Sequence, residues 1–257
     1  MSLMNFYYGV KHSDAEYIFL LGDDDVVSPN FISVILNLLD QNKGIGLIHY
    51  NFIVVSPDYK TVKLWNSCFK FEAITNYYNS GRDFIWKYLD SPTFMSSIVF
   101  KKECMLNGLQ NFYHEDCYGY DWLLCIYYRV LDVPCLYHFM PLVIQRSGEP
   151  YQNYARNAII GLHTIFDYMS KYIPRIDKHW ENKADNQGMR FINILLSIIG
   201  FKDYYKPFYN EMKRCVGSKS HKRLLYISVF FPCSISKFIL FIVKIWLFVS
   251  DKLNNRM

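Results

Sequence analysis

The sequence predicts an α/β protein, a mixed sheet followed by helices. Three observations point there. A short continuous apolar run, Tyr17-Ile18-Phe19-Leu20-Leu21, stops abruptly at Gly22-Asp23-Asp24-Asp25, as a strand buried on both faces does when it ends in a polar turn. Apolar residues then recur at helical spacing, and a second apolar run rich in Ile and Val follows them. From Tyr151 onward the apolar segments are helical in period. Strands and helices in alternation, then helices alone, make a sheet domain with a helical extension.

Each element has its own signal. Ser28 is a good N-cap and Pro29 suits the first helical position, with Phe31, Ile32, Ile35, Leu36, Leu38 and Leu39 on one face until Gly44. Residues 46–55 read as the next strand, closed by the turn Ser56-Pro57-Asp58. Residues 93–100 resemble a strand, and 111–119 a polar loop. Residues 121–131 then read as a helix carrying Leu124, Tyr127, Tyr128 and Leu131. Two short strands are expected at 134–139 and 142–144, then helices at 151–172, 189–200 and 203–216.

Composition narrows the class without naming a function. In 257 residues, 51% apolar and 20% charged leave room for a substantial core, and disorder is not expected. The 18% aromatic content is high, and Tyr serves cores, sugar sites and membrane interfaces alike. The net charge of +5 is concentrated late, at Lys219, His221, Lys222 and Arg223, just before the most apolar stretch. That order points to an anionic lipid surface. A nucleic-acid partner is not expected, because basic residues are not interleaved with stacking aromatics. The seven Cys show no CxxC pairs and no disulfide framework, so they read as buried thiols in a reducing cytoplasm. Residues 1–10 lack the basic-then-apolar order of a signal peptide, and none is expected.

The residues with the clearest chemistry are the three consecutive carboxylates. Like charges a few ångströms apart repel, so something cationic should compensate them. A hard divalent ion, Mg2+ or Mn2+, does so with oxygen ligands and can also hold a diphosphate. The same triplet is compatible with an acidic cap on the following helix. Its place at the end of a strand favours a ligand site, since open α/β sheets bind ligands there.

The segment from Glu16 to Phe31 resembles the DxD region of the inverting family 2 glycosyltransferases of GT-A fold, within them the abequosyltransferase-like branch. The resemblance spans residues 8–148. It implies a partial GT-A, Rossmann-like sheet in which Asp23 and Asp24 meet the ribose and diphosphate of a nucleotide sugar. Asp25 and Asp23 would hold the metal. A second alignment sets the family's first Asp on Gly22. Gly119-Tyr120-Asp121-Trp122-Leu123 resembles the element that supplies the catalytic base, making Asp121 the acceptor of the proton. Two departures stand out: Tyr120 occupies the family's Glu position, and the nearest following Arg is Arg129. A helix N-cap is the other reading of Asp121, and Glu115 and Asp116 are alternative bases. His114 beside them is too isolated for a zinc site. Arg146 could reach the diphosphate; it also reads as a solvated loop residue. The QxxRW element of processive members is absent, so transfer of a single sugar is expected.

Family members begin with strands and a nucleotide-base loop that have no counterpart before Asp23, so the resemblance implies an N-terminally truncated or split transferase, with a second chain as one source of the missing strands. The tail has two further features. Residues 224–249 are nearly all apolar, but Pro232, Ser234 and Ser236 interrupt them, and Lys237, Lys244 and Asp251 recur every seven residues. That pattern favours a helix lying in the membrane interface over one that spans it. Three regions are therefore expected: residues 1–148 as the transferase portion, 149–217 as a helical extension, and 218–257 as a membrane-associated helix. The implied function is transfer of a sugar from a nucleotide-sugar donor to a lipid-linked saccharide in bacterial surface polysaccharide synthesis. Its expected place is the cytoplasmic face of the inner membrane. A non-catalytic remnant or partner subunit that binds glycolipid is the alternative.

Overall fold

The computed structural model describes residues 3–65, 74–89, 94–112, 119–146, 154–186 and 188–254. The chain divides into two compact units, residues 1–149 and 150–257. The first is a mixed α/β sheet unit and the second is helical, the fold class the sequence predicts.

In the first unit α1 (Leu3–His12) leads into β1 (Tyr17–Phe19), the acidic turn, β2 (Val26–Val27) and α2 (Phe31–Gln41). Then come β3 (Leu47–Val55), β4 (Val62–Trp65), β5 (Asn76–Tyr78), α3 (Gly81–Tyr88), β6 (Ile98–Lys101), α4 (Lys102–Phe112), α5 (Asp121–Val130) and β7 (Cys135–Arg146). The seven strands form one sheet in the order β1-β6-β3-β7-β2, with β4 beside β3 and β5 beside β7. Among the described residues only β3 and β7 run parallel, side by side at its centre. On one face Ile48, Tyr50, Phe52, Val99, Leu136 and Val143 pack against Phe31, Ile35 and Leu38 of α2. On the other, Tyr88 of α3 stacks on Tyr137 at 4.8 Å, and His49 meets both Phe84 and Tyr88 edge-on. Helices on both faces explain why β3 is apolar nearly throughout.

Several sequence expectations need correction. The run 17–21 is not buried on both faces: β1 lies at the end of the strand order, pairs only with β6 among the described residues, and buries only Ile18. Ser28 does not cap α2. Its backbone N–H donates to Leu142 O at 2.9 Å, so Ser28 belongs to the connection with β7, and α2 opens after Asn30. Of the predicted strand 93–100, Met95–Ser97 form a 3-10 turn and only the end is extended. The two short strands at 134–144 are one strand, β7, with a bulge where Phe139 and Met140 are exposed. Asn51 bridges that bulge, donating through Nδ2 to Phe139 O at 3.3 Å. Helix α4 was not predicted.

The second unit begins with α6 (Tyr154–Arg156), a π-helical turn (Asn157–Gly161) and α7 (Leu162–Met169), continuing as α8 (Ile176–Asn186) and α9 (Gly188–Gly200). Then follow α10 (Lys202–Tyr205), α11 (Tyr209–Cys215), α12 (Lys219–Phe230) and α13 (Cys233–Asn254). The expected helix over 203–216 is broken by a 3-10 turn containing Pro207, which has no N–H to continue an α-helix. Its core includes Leu195, Ile198 and Phe166, the last stacked on Trp180 at 5.1 Å. Cysteines also differ from expectation: Cys104, Cys125 and Cys135 are buried, but Cys233 is exposed.

Candidate functional site

The acidic turn follows β1 and is closed by the Asp25 N–H donating to Gly22 O at 3.2 Å. After it, β2 pairs antiparallel with the end of β7, Val26 opposite Ile144 and Val27 opposite Val143. That register brings Arg146 to the carboxylates: its Nη2 lies 3.9 Å from Asp24 Oδ2, with both side chains partly in water. A pair so exposed contributes little to stability, but it sets a guanidinium beside the triplet. Tyr59, at the turn between β3 and β4, donates its hydroxyl to Asp24 O at 3.1 Å from a left-handed backbone, φ 59°.

Asp25 is the most constrained of the three. Ser96 Oγ donates to its Oδ2 at 2.6 Å and accepts from the Gly22 N–H at 2.8 Å, so one hydroxyl ties both ends of the turn to the 3-10 turn before β6. Ser96 is held in its turn by Tyr50, whose buried hydroxyl donates to Ser96 O at 2.8 Å. Burial raises the Asp25 carboxyl above its ordinary value. The Ser96 hydrogen bond opposes the rise, the charges of Asp24 and Asp23 add to it, and a backbone hydrogen bond from Arg146 lowers it. Burial, with Asp25 second, also pushes up the Tyr50 phenol. Charge on Asp25 is therefore costly here. Among the described residues no ion pair reaches Asp23 or Asp25.

A Cβ at Gly22 would stand 2.6 Å from Asp25 Oδ2. The Asp25 carboxylate fills the space a Gly22 side chain would need, so the turn accommodates glycine there and no larger residue without a shift of Asp25.

Asp121 is the first residue of α5; the N-cap is Tyr120, so the alternative reading of Asp121 as the capping residue does not hold. An acidic residue in the first turn still complements the helix dipole. Helix α5 lies on the sheet face away from α2, with the Tyr127 hydroxyl donating to Leu89 O. The structure thus brings Asp24, Asp25 and Arg146 together and sets Asp121 on a separate element. His114, Glu115 and Asp116 lie outside the described residues. Ser96 and Tyr59 are contributors the sequence did not single out. Neither has a local signal, since Ser96 stands 71 residues from Asp25 and Tyr59 stands 35 from Asp24.

Among the described residues no group of three or more His, Cys, Asp or Glu is arranged to hold a metal. A closed all-protein cage is therefore not what the turn offers. A hard cation of the Mg2+ kind would not need such a cage, since it takes one or two carboxylates and fills its shell with phosphate oxygens and water. Asp25, raised by burial and without an ion pair among the described residues, is the carboxylate such an ion would relieve.

No protein-family model matches the sequence, and no curated protein matches it. Among solved structures the chain is similar to one titled "Crystal structure of S. aureus TarS 1-349", at 12% identity with a TM-score of 0.42, covering 89% of this chain and 66% of that one.

Proposed function

We propose that this chain is a glycosyltransferase that uses Mg2+ or Mn2+ and a nucleotide-sugar donor, and adds one sugar with inversion to a lipid-linked saccharide. The reading rests on the resemblance carried by residues 16–31 and 119–123. The observation that supports it most is the half-buried Asp25, anchored by Ser96 with no ion pair among the described residues, at the end of a strand with Arg146 alongside.

In this reading Asp25, with Asp23, binds the metal ion, and Asp24 and Arg146 meet the ribose and diphosphate. The metal supplies charge neutralisation for the departing nucleoside diphosphate. Arg146 adds a cation whose planar fork suits phosphate oxygens. Asp121 accepts the proton of the acceptor hydroxyl as its oxygen bonds to the anomeric carbon, while the bond from that carbon to the diphosphate breaks. The product is the inverted glycoside, with the nucleoside diphosphate released.

Calorimetry on the chain joined to the front end that the resemblance implies, with Mn2+ and a panel of nucleotide sugars and paired with an assay for nucleoside-diphosphate release, tests this. Metal-dependent donor binding that Asp25→Ala removes is the expected result. Binding that ignores both the metal and Asp25 would overturn the site, and binding without turnover would favour the non-catalytic alternative.

A further inference from the structure

The apolar segment 224–249 is divided in two. Helix α12 ends at Phe230, the chain turns at Phe231-Pro232, and α13 begins at Cys233. Lys202 fixes this corner, its Nζ donating to Phe231 O and, at 3.2 Å, to Ser236 Oγ. Ser236 donates to Ile227 O at 2.9 Å, which ties the start of α13 back to α12. Among the described residues no helix is long and apolar enough to cross a membrane.

Helix α13 is apolar on two sides. Ser236 and Leu240 are buried, with Ile239, Val243 and Leu247 partly so, the spacing of a helix face packed inward. The outward arc is apolar as well: Ile235, Phe238, Phe241, Ile242, Ile245 and Trp246 all face solvent, with Phe238 64%, Phe241 60% and Trp246 66% exposed. A helix on a water-facing surface ordinarily turns charge outward. Here Lys237 and Lys244, seven residues apart, share one flank between the two apolar faces. The corner adds exposed Tyr226, Phe230 and Phe231. Between Lys219 and Ser250 the chain carries five Lys or Arg and no acidic residue.

We propose that the outward face of α13, with the α12–α13 corner, docks on an anionic phospholipid surface and lies in the plane of the interface. The inference uses the second unit alone and stands apart from the reading of the acidic turn. Apolar side chains on the arc enter the acyl boundary, Trp246 and Tyr226 sit at headgroup level, and lysine stems let their ammonium groups reach phosphate. Charge selects this occupant over a second copy. Two copies would bring cationic flanks together, whereas an anionic leaflet neutralises them.

Vesicle co-sedimentation of the full chain tests the proposal, using phosphatidylcholine alone and phosphatidylcholine containing phosphatidylglycerol. Wild type should bind the anionic vesicles more tightly. Lys237→Gln with Lys244→Gln should weaken that binding by about fivefold for each lysine, roughly 30-fold together, and leave binding to neutral vesicles nearly unchanged. Phe238→Ser with Trp246→Ser should abolish binding to both; these side chains are exposed, and circular dichroism checks that the helix persists. In wild type, tryptophan emission should shift to the blue on anionic vesicles, and Trp246→Phe should remove most of that shift. Absence of binding to either vesicle overturns the proposal. So does an α13-dependent dimer in solution that leaves no vesicle binding, or equal loss on both vesicle types when the lysines are neutralised.

Discussion

At the acidic turn, three carboxylates are drawn together and one is half-buried against Ser96; along α13, six large apolar side chains are left in water. Both arrangements cost free energy in the isolated chain, one through desolvated charge and the other through exposed hydrocarbon. They differ in how they are built. The turn is assembled by residues far apart in sequence, with Asp25, Ser96 and Arg146 arriving from β1, the 3-10 turn and β7. The α13 face is built by one helix from its own periodicity. A single substitution should therefore disturb the turn sharply, whereas the α13 face should lose function gradually, one side chain at a time.

The largest expected effect separates chemistry from binding. Asp121→Asn keeps the shape of the side chain but accepts no proton, so transfer should fall by roughly 10²–10⁴-fold with donor affinity nearly unchanged. Single-turnover kinetics beside calorimetry would show it; full transfer would move the base elsewhere. Next in size is Asp25→Ala, which should weaken metal-dependent donor binding by more than about 100-fold, beyond what loss of an outer-shell partner brings. Vesicle binding should not respond to either change. If it does, the two regions are not the independent devices described above.

Ser96→Ala is a subtler break of the turn. It removes the hydroxyl from Asp25 and leaves the Gly22 N–H without its acceptor, at an expected cost of about 1–3 kcal/mol in chemical denaturation. Because the lost hydrogen bond opposes the rise, the Asp25 carboxyl should move further up, and a carbon-13 NMR titration of the aspartates would detect it. An unmoved titration would mean that Ser96 does not govern Asp25.

What the sequence made legible follows the same division. The lysine spacing on α13 and the interruption at Pro232 are local, and both survive in the structure. The apolar run before Gly22 announced a strand ending in an acidic turn, though not that only Ile18 of it would be buried, which the packing on each face decides. Ser96 was hidden because nothing near residue 96 signals that it will meet Asp25. The unity of β7 was hidden too, since Phe139, Met140 and Pro141 look like a turn until Asn51 is seen spanning the bulge. Ser28 misled because α2 opens two residues later, after Asn30, and the Ser28 hydroxyl is buried without a hydrogen bond among the described residues.

The smallest expected effect concerns stability against pH. Burial raises the Asp25 carboxyl in the folded state. The folded chain then holds that proton more tightly than the unfolded one, so wild-type stability declines as pH rises through the folded value. Asp25→Asn lacks this decline. It should be more stable than wild type at neutral pH by less than about 1 kcal/mol, since half the carboxylate remains in water, and the gain should vanish below the ordinary carboxylate range. Thermal unfolding across pH would reveal it, and a variant less stable at neutral pH would contradict it.

We propose that Asp25 binds a divalent ion whose shell a nucleoside diphosphate completes. Electron paramagnetic resonance of Mn2+ titrated into the chain, with and without a nucleoside diphosphate, reads this directly. Binding should be weak for Mn2+ alone, markedly tighter with the diphosphate, weaker as pH falls because Asp25 must give up its proton, and lost in Asp25→Asn. Mn2+ binding that is indifferent to the diphosphate and unchanged in Asp25→Asn would contradict the account.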